Sequence, residues 1–517
     1  MKGRKRTAYM DSTIPLHQRI TPLSLLLLPS LLDKTHGHTN MTTAEKPTVL
    51  IVGAGLGGLM LGALLEKINV PYFIFERTSA IRSLGSAISI GSPVLALFQQ
   101  LGIYEELVSV GLRYTGIAAH KENLEPYPLQ DFTPLDELTG YSQYIVSRPV
   151  LYDLLLKQIP VRKILLKKRI LAISEEDDKV TIQAADNTVY EGDILVGADG
   201  AYSAVRQRLY EKLKVKDLLP KADDEELPFN CTCLVGQTEP LDIEEFPILK
   251  NTFSQFLTVR GIEIPYTWVI FTTAQHRICW MIIHHLTRTT SKAAMEQRFR
   301  NNDNSEWGPH AAKQMCDETR DLKTPIRDGD GFLTLGDLYD RTPQDLISKV
   351  MLEEKVFETW YHGRTVLIGD ACHKINPAGG QGAVAAMHDA LALTNLLYAL
   401  PSKTSADIQQ ILSEYQEERR PLALATFRSS RMLSQVLRKD FVGWIARLIS
   451  TNMPAWLWRI FLGKAFANRP QAGFLERVET KGSALPNPSP SMDKARTVFE
   501  ERKRDAVLVR SLCNINK

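Results

Sequence analysis

The chain has 517 residues, 44% hydrophobic and 23% charged, with 62 Lys and Arg against 59 Asp and Glu. This balance belongs to an ordinary globular protein and excludes a collagen-like, disulfide-scaffold or wholly disordered chain. The formal net charge of +3 gives no reason to expect nucleic acid as a partner, and the length admits about three structural units with an enclosed cofactor site.

Residues 1–45 read as an N-terminal extension, disordered or targeting. Lys2, Arg4, Lys5 and Arg6 precede an apolar stretch, Leu23–Leu32, which imitates the regions of a signal peptide but is too short to span a bilayer. Met41 opens a polar leader just before the first strand. Either it is the start of the folded protein, or the extension is a membrane or targeting signal. The run Thr48–Val52 is apolar and β-branched, glycines follow, Leu56–Lys67 is helical, and Tyr72–Phe75 is the next strand. This βαβ opening predicts a parallel sheet. Gly53-Ala54-Gly55-Leu56-Gly57-Gly58 holds G-x-G-x-x-G in the context that gives it meaning, after a buried strand and opening a helix. Gly53 permits the tight turn, Gly55 lets the backbone approach a pyrophosphate, and Gly58 lets the helix lie close on the strand. Glu76, at the end of the second strand, is placed to accept hydrogen bonds from ribose hydroxyls. Arg77 beside it either lies on the adenine or is a solvated surface charge.

Two more apolar strands end in acidic turns, Asp193–Val196 before Asp199-Gly200 and Thr365–Ile368 before Gly369-Asp370. Between them, residues about 225 to 290 read as short strands, a separate antiparallel sheet over the cofactor domain. Tyr266 and Trp268 either line a substrate site there or pack in the core, where strand aromatics more often lie. The six cysteines are scattered without metal or redox spacing, so a reducing compartment and a cytoplasmic location are expected, and no metal site is assigned. After Asp389 the chain is helical. Residues 441–466 carry six Phe or Trp, three cations and no carboxylate. That composition fits either a helical cover on the cofactor domain or a helix in contact with a membrane surface.

The second and third turns carry a family resemblance. Asp199-Gly200-Ala201-Tyr202-Ser203-Ala204-Val205-Arg206 resembles the D-G-x-x-S-x-x-R motif of single-component FAD-dependent aromatic hydroxylases and epoxidases. Gly369-Asp370-Ala371-Cys372-His373, followed by Pro377-Ala378-Gly379-Gly380-Gln381-Gly382, resembles their G-D-A-x-H and P-x-x-G-x-G. With the first glycine motif in the same order, the chain is similar to the fungal branch of salicylate-hydroxylase-like and terpenoid-epoxidase-like enzymes. The resemblance implies FAD as cofactor. Asp370 would meet the ribityl hydroxyls, and the amides around Gly382 and Ala383 would face the flavin pyrimidine. Pro377 would lie beside the flavin C4a edge, its missing N–H leaving room for a peroxide. It also implies that Asp199 lies near the pyrophosphate, that Arg148 opens a helix beneath the flavin, and that Gly85-Ser86-Ala87 passes close to the ring. Arg206 serves NAD(P)H or structural pairing. Where relatives commonly carry Asn, this chain has Val384.

The expected architecture is α/β, or α+β overall: a Rossmann-type FAD-binding domain over 46–217 and 346–430, an inserted substrate sheet over 218–345, and a C-terminal helical extension over 431–517. The expected function is a monooxygenase that uses NAD(P)H and O2 to pass one oxygen atom, through a flavin C4a-hydroperoxide, to a small hydrophobic or aromatic substrate or an alkene of prenylated or terpenoid type. The other readings are a halogenase, a saturase or a non-catalytic FAD-binding scaffold.

Overall fold

The runs Val49–Val52, Ile194–Gly197 and Thr365–Leu367 are buried along their whole length. Strands apolar on both faces need cover from both sides, which a parallel sheet flanked by helices provides. In the computed structural model, which describes residues 46–81, 87–225, 227–286, 309–376, 380–435 and 453–515, they form the centre of a six-stranded sheet. Its order is Tyr361–His362, Thr365–Leu367, Ile194–Gly197, Val49–Val52, Tyr72–Phe75 and Ile164–Leu165. Only the first of these strands runs antiparallel to its neighbour. Helices Leu56–Lys67 and Gly382–Tyr398 lie against each other on this sheet, and a methyl added at Gly57 would already touch Ala386 Cβ at 3.4 Å. The segments 1–45 and 436–452 lie outside the described residues.

The second layer is a seven-stranded sheet, in the order Ser348–Glu353, Phe229–Gln237, Ile278–His285, Tyr266–Thr272, Phe256–Arg260, Gly116–Lys121 and Gln130–Asp131. Its two edges therefore draw on chain from both sides of the central strands. Period-two alternation separates its faces. Leu234, Trp268, Ile270, Trp280 and Ile282 point to one face, where they pack with Ala312, Met315, Leu335 and Leu338 from two helices. Phe256, Val269, Phe271, Cys279 and Met281 point to the other and meet Ala87, Tyr114 and Ile145 of a small sheet beside the cofactor domain.

This alternation decides between the two readings of Tyr266 and Trp268 in favour of packing over lining. Trp268 is 1% exposed in the outer core, its indole N–H donating to the Lys323 carbonyl at 3.1 Å. Tyr266 lies on the same outer face and its hydroxyl donates to Glu318 Oε2 at 2.9 Å. One residue of parity separates them from the face that looks toward the cofactor domain.

The C-terminal region packs as cover. Helix Ala455–Ala465 lies on helix Pro134–Thr139, with Leu462 buried between Leu135 and Leu138 and the Trp458 indole donating to the Asp131 carbonyl at 2.5 Å. Trp456 stays 64% exposed, and Ile460 and Phe461 share its outer side. Among the described residues no helix is long and apolar enough to cross a membrane. Helix Pro490–Ile515 closes over Gly382–Tyr398 and is pinned to helix Ser405–Gln435 by Lys494–Glu414 at 2.7 Å.

Trp280 is fully buried, meets the Tyr339 ring at a tilt with centroids 4.8 Å apart and donates to Thr342 Oγ1 at 3.0 Å. Trp280→Ala is expected to lower unfolding free energy by about 3–5 kcal/mol in urea titration. Trp456→Ala, on the exposed side of its helix, should change it by less than about 0.5 kcal/mol.

Candidate active site

The three motif turns stand at the carboxyl ends of three adjacent parallel strands, and Glu76 at the end of a fourth. Val52 is paired with Gly197 on one side and Phe75 on the other, and Gly197 with Leu367. Crevices at the carboxyl ends of such strands are where open α/β sheets bind their ligands.

Gly53 has φ +109°, and a Cβ there would collide with the Ala198 carbonyl, so only glycine lets the first and second turns approach this closely. Gly58 is equally constrained, since its Cβ would strike the Gly53 carbonyl oxygen. Gly55 caps helix Leu56–Lys67 without a side chain, which leaves the first-turn amides and the positive end of the helix dipole directed at the crevice. Glu76 reaches back across the turn, its Oε2 accepting from Ala54 N at 3.1 Å and its Oε1 from Thr78 N at 2.9 Å. Arg77 next to it is exposed.

Asp199 Oδ2 accepts from Ala204 N at 2.6 Å and Val205 N at 3.3 Å, capping helix Ala204–Val215 together with Ser203. Burial pushes its carboxyl above the usual range although these amides pull the other way, and among the described residues its buried Oδ1 has no partner. Arg206 is structural. Its buried guanidinium donates to the Ala371 carbonyl at 2.8 Å and the Ala201 carbonyl at 2.5 Å and lies 4.3 Å from the Phe357 ring centroid. It therefore ties the second turn to the third.

The third turn has its own lock. Gly369, at φ +60°, donates its N–H to Asp389 Oδ2 at 2.8 Å, and His373 Nε2 meets the same oxygen at 2.6 Å. Arg419 Nε donates to Asp389 Oδ1 at 2.8 Å. His373 and Arg419 hold the Asp389 carboxyl well below the usual range although burial opposes them. Cys372, His373 and Asp389 bring three ligand-type atoms within 4.8 Å of one another, but the carboxylate is already shared by an imidazole and a guanidinium, the chemistry of an ion-pair network.

Asp370 faces outward from this lock. Its Oδ2 accepts from Lys374 Nζ at 2.5 Å. Burial would raise this carboxyl, but Lys374, His373 and Arg148 outweigh it and hold it below its ordinary value. Arg148 opens helix Arg148–Leu156, and the pairing of Ser147 with Ala87 sets Ala87 beside it. Arg148 Nε is buried and, among the described residues, without a partner. Among the described residues helix Gly382–Tyr398 starts without a side-chain cap, and additions at Gly380 or Gly382 would meet nothing within 4 Å. Ala383 lies half-buried in its first turn, and Val384 is buried in the core rather than turned to the crevice. Pro377, Gly85 and Ser86 lie outside the described residues. Glu353 had no motif to announce it: it is 2% exposed and accepts the Tyr202 hydroxyl, and burial raises its carboxyl.

The arrangement suits a long, anionic, hydroxyl-rich ligand. It offers free amides at two helix starts, open space around two glycines, and unpartnered atoms on Arg148 and Asp199. Residues 46–227 and 337–430, more than half the chain, match the family described as FAD binding domain, and the chain belongs to that family. Among curated relatives it is 28% identical over 409 residues to the FAD-dependent monooxygenase ptmM of Penicillium ochrochloron, covering 77% of this chain and 90% of that one. It is 28% identical over 406 residues to the FAD-dependent monooxygenase paxM of Penicillium paxilli, covering 76% and 79%. Among solved structures, Klebsiella pneumoniae HpxO complexed with FAD and uric acid superposes with a TM-score of 0.54 at 20% identity, over 78% of this chain and 97% of that one. CtdE in complex with FAD and substrate does so with 0.59 at 16%, over 81% and 98%. The protein is an FAD-dependent monooxygenase by class, with FAD as its cofactor.

Asp389→Asn leaves the buried Arg419 unpaired and is expected to cost about 3–5 kcal/mol of stability at neutral pH. Because the folded carboxyl is depressed, its contribution is fully present above the ordinary carboxylate pKa and is lost as pH falls below it. The difference between wild type and variant in chemical unfolding should therefore shrink from pH 7 to about pH 3.

Proposed function

We propose that this enzyme uses NAD(P)H and O2 to place one oxygen atom in an aromatic or alkene small molecule of prenylated or terpenoid type. The reading rests on the alignment of four strand ends, which brings the glycine turn, Glu76, Asp199 and Asp370 to one edge. When bound, FAD would supply the hard chemistry, accepting a hydride from NAD(P)H and activating oxygen. The chain's own residues bind and orient. Gly53, Gly55 and Gly58 seat the pyrophosphate at the helix start with Asp199 nearby, Glu76 receives the ribose hydroxyls, and Arg77 borders the adenine. Asp370 holds the ribityl chain, Arg148 and Ala87 border the ring, and the amides at Gly382 and Ala383 favour negative charge on the pyrimidine. Pro377 is proposed for the oxygen-reacting edge.

Substrate selection falls to the face of the seven-stranded sheet that looks toward Ala87. Val235, Phe256, Thr258 and Met281 are half-buried there, and Met281 touches both apolar clusters of that face. An apolar surface of this kind selects by shape and hydrocarbon content and lets water be excluded from the reaction.

The purified protein is expected to be yellow, to consume oxygen only with NAD(P)H and an acceptable substrate, and to yield product labelled from oxygen-18 gas. Flavin retention with no oxygen uptake across phenols and prenylated compounds would redirect the assignment to another flavin oxidoreductase. Met281→Trp should leave the flavin spectrum unchanged while raising KM by about tenfold or more, measured by oxygen uptake.

A further inference from the structure

The third turn carries a cation for which the binding scheme above has no task, Lys374. It lies in the two-residue strand His373–Lys374, whose partner strand Lys355–Val356 follows one residue after the edge strand Ser348–Glu353 of the seven-stranded sheet. The backbone that carries the ammonium is thus held from both layers. Its side chain is 23% exposed and its Nζ is 2.5 Å from Asp370 Oδ2. Arg148 and Glu353 lie within electrostatic reach. Desolvating an ammonium is costly unless a carboxylate accompanies it. Here Asp370 outweighs burial and keeps Lys374 charged, while the neighbouring Glu353 is pushed toward its neutral form.

A lone carboxylate at this turn would oppose the cofactor chemistry. A hydride brings two electrons and one proton, so a flavin that accepts one gains a negative charge, and an uncompensated Asp370 beside it would disfavour that charge. An ammonium on Asp370 Oδ2 removes the repulsion and fixes the carboxylate's rotamer. We propose that Lys374 is a positioning residue for the cofactor: it fixes Asp370 toward the ribityl chain and neutralises it next to the flavin. The proposal rests on the reading that Asp370 holds FAD.

The test measures the FAD dissociation constant, from flavin fluorescence on dilution of purified holoenzyme, and the flavin midpoint potential, from dye-coupled reduction. Lys374→Met is expected to weaken FAD binding by about 10- to 100-fold, the loss of a hydrogen bond between charged groups, and to move the potential to more negative values. Lys374→Gln, which can still donate to Asp370 but carries no charge, should recover part of the affinity and none of the potential. Lys374→Arg should restore both. Affinity and potential within about twofold and experimental error of wild type in a folded Lys374→Met or Lys374→Gln protein would overturn the proposal. Asp370→Asn separates the two readings. If it leaves FAD affinity unchanged, the assignment of Asp370 falls and this proposal with it; if it weakens FAD while Lys374→Met does not, only the role of Lys374 falls.

Discussion

The site depends on one constraint, the register of the parallel sheet. Val52, Gly197, Leu367 and Phe75 are neighbours across four strands, and at the ordinary interstrand spacing of about 4.8 Å their four turns form one continuous rim. A slip of one residue would shift a strand end by about 3.3 Å and turn its side chains to the opposite face. Gly53 is the closest point of this rim, because the Ala198 carbonyl occupies the space a side chain would need. The glycine turn is therefore as much a requirement of strand against strand as of backbone against ligand.

Buried charge maintains the rim. Arg206 spans from the second turn to the third, and Asp389 joins the backbone of Gly369, the ring of His373 and the guanidinium of Arg419 from the long helix behind. Such groups add little net stability over a well-packed apolar replacement, but removing one partner strands a charge, so any arrangement of the turns that separates the partners is penalised. A similar link reaches the substrate layer. Tyr202 of the second turn bonds Glu353 of the sheet's edge strand, and that strand runs on into the pairing with His373–Lys374. The crevice and the sheet above it are thus held by shared residues.

Much of this was legible in the sequence because the cofactor turns are local. Each glycine or acid sits within a few residues of the strand end that carries it, and the chemistry of a tight turn at a helix start restricts the residue type sharply. For Trp268 the sequence leaves lining and core packing both open, because aromatic content says that a strand is buried and not which face is buried against what; one residue of parity decides it. The pairing of Arg206 with Ala371, the burial of Val384 and the meeting of Glu353 with Tyr202 join residues far apart in the chain, and no local spacing encodes them.

The sequence by itself determined the βαβ opening and the three turns, because these follow from backbone geometry and residue chemistry within short windows, and the family resemblance of the second and third turns added FAD as the cofactor. Tertiary structure alone decided which strand ends are neighbours, which face of the second sheet looks toward the crevice, and which charges pair around Asp370 and Asp389. These outcomes depend on register and on desolvation, and both come into being only when segments distant in the chain are packed together.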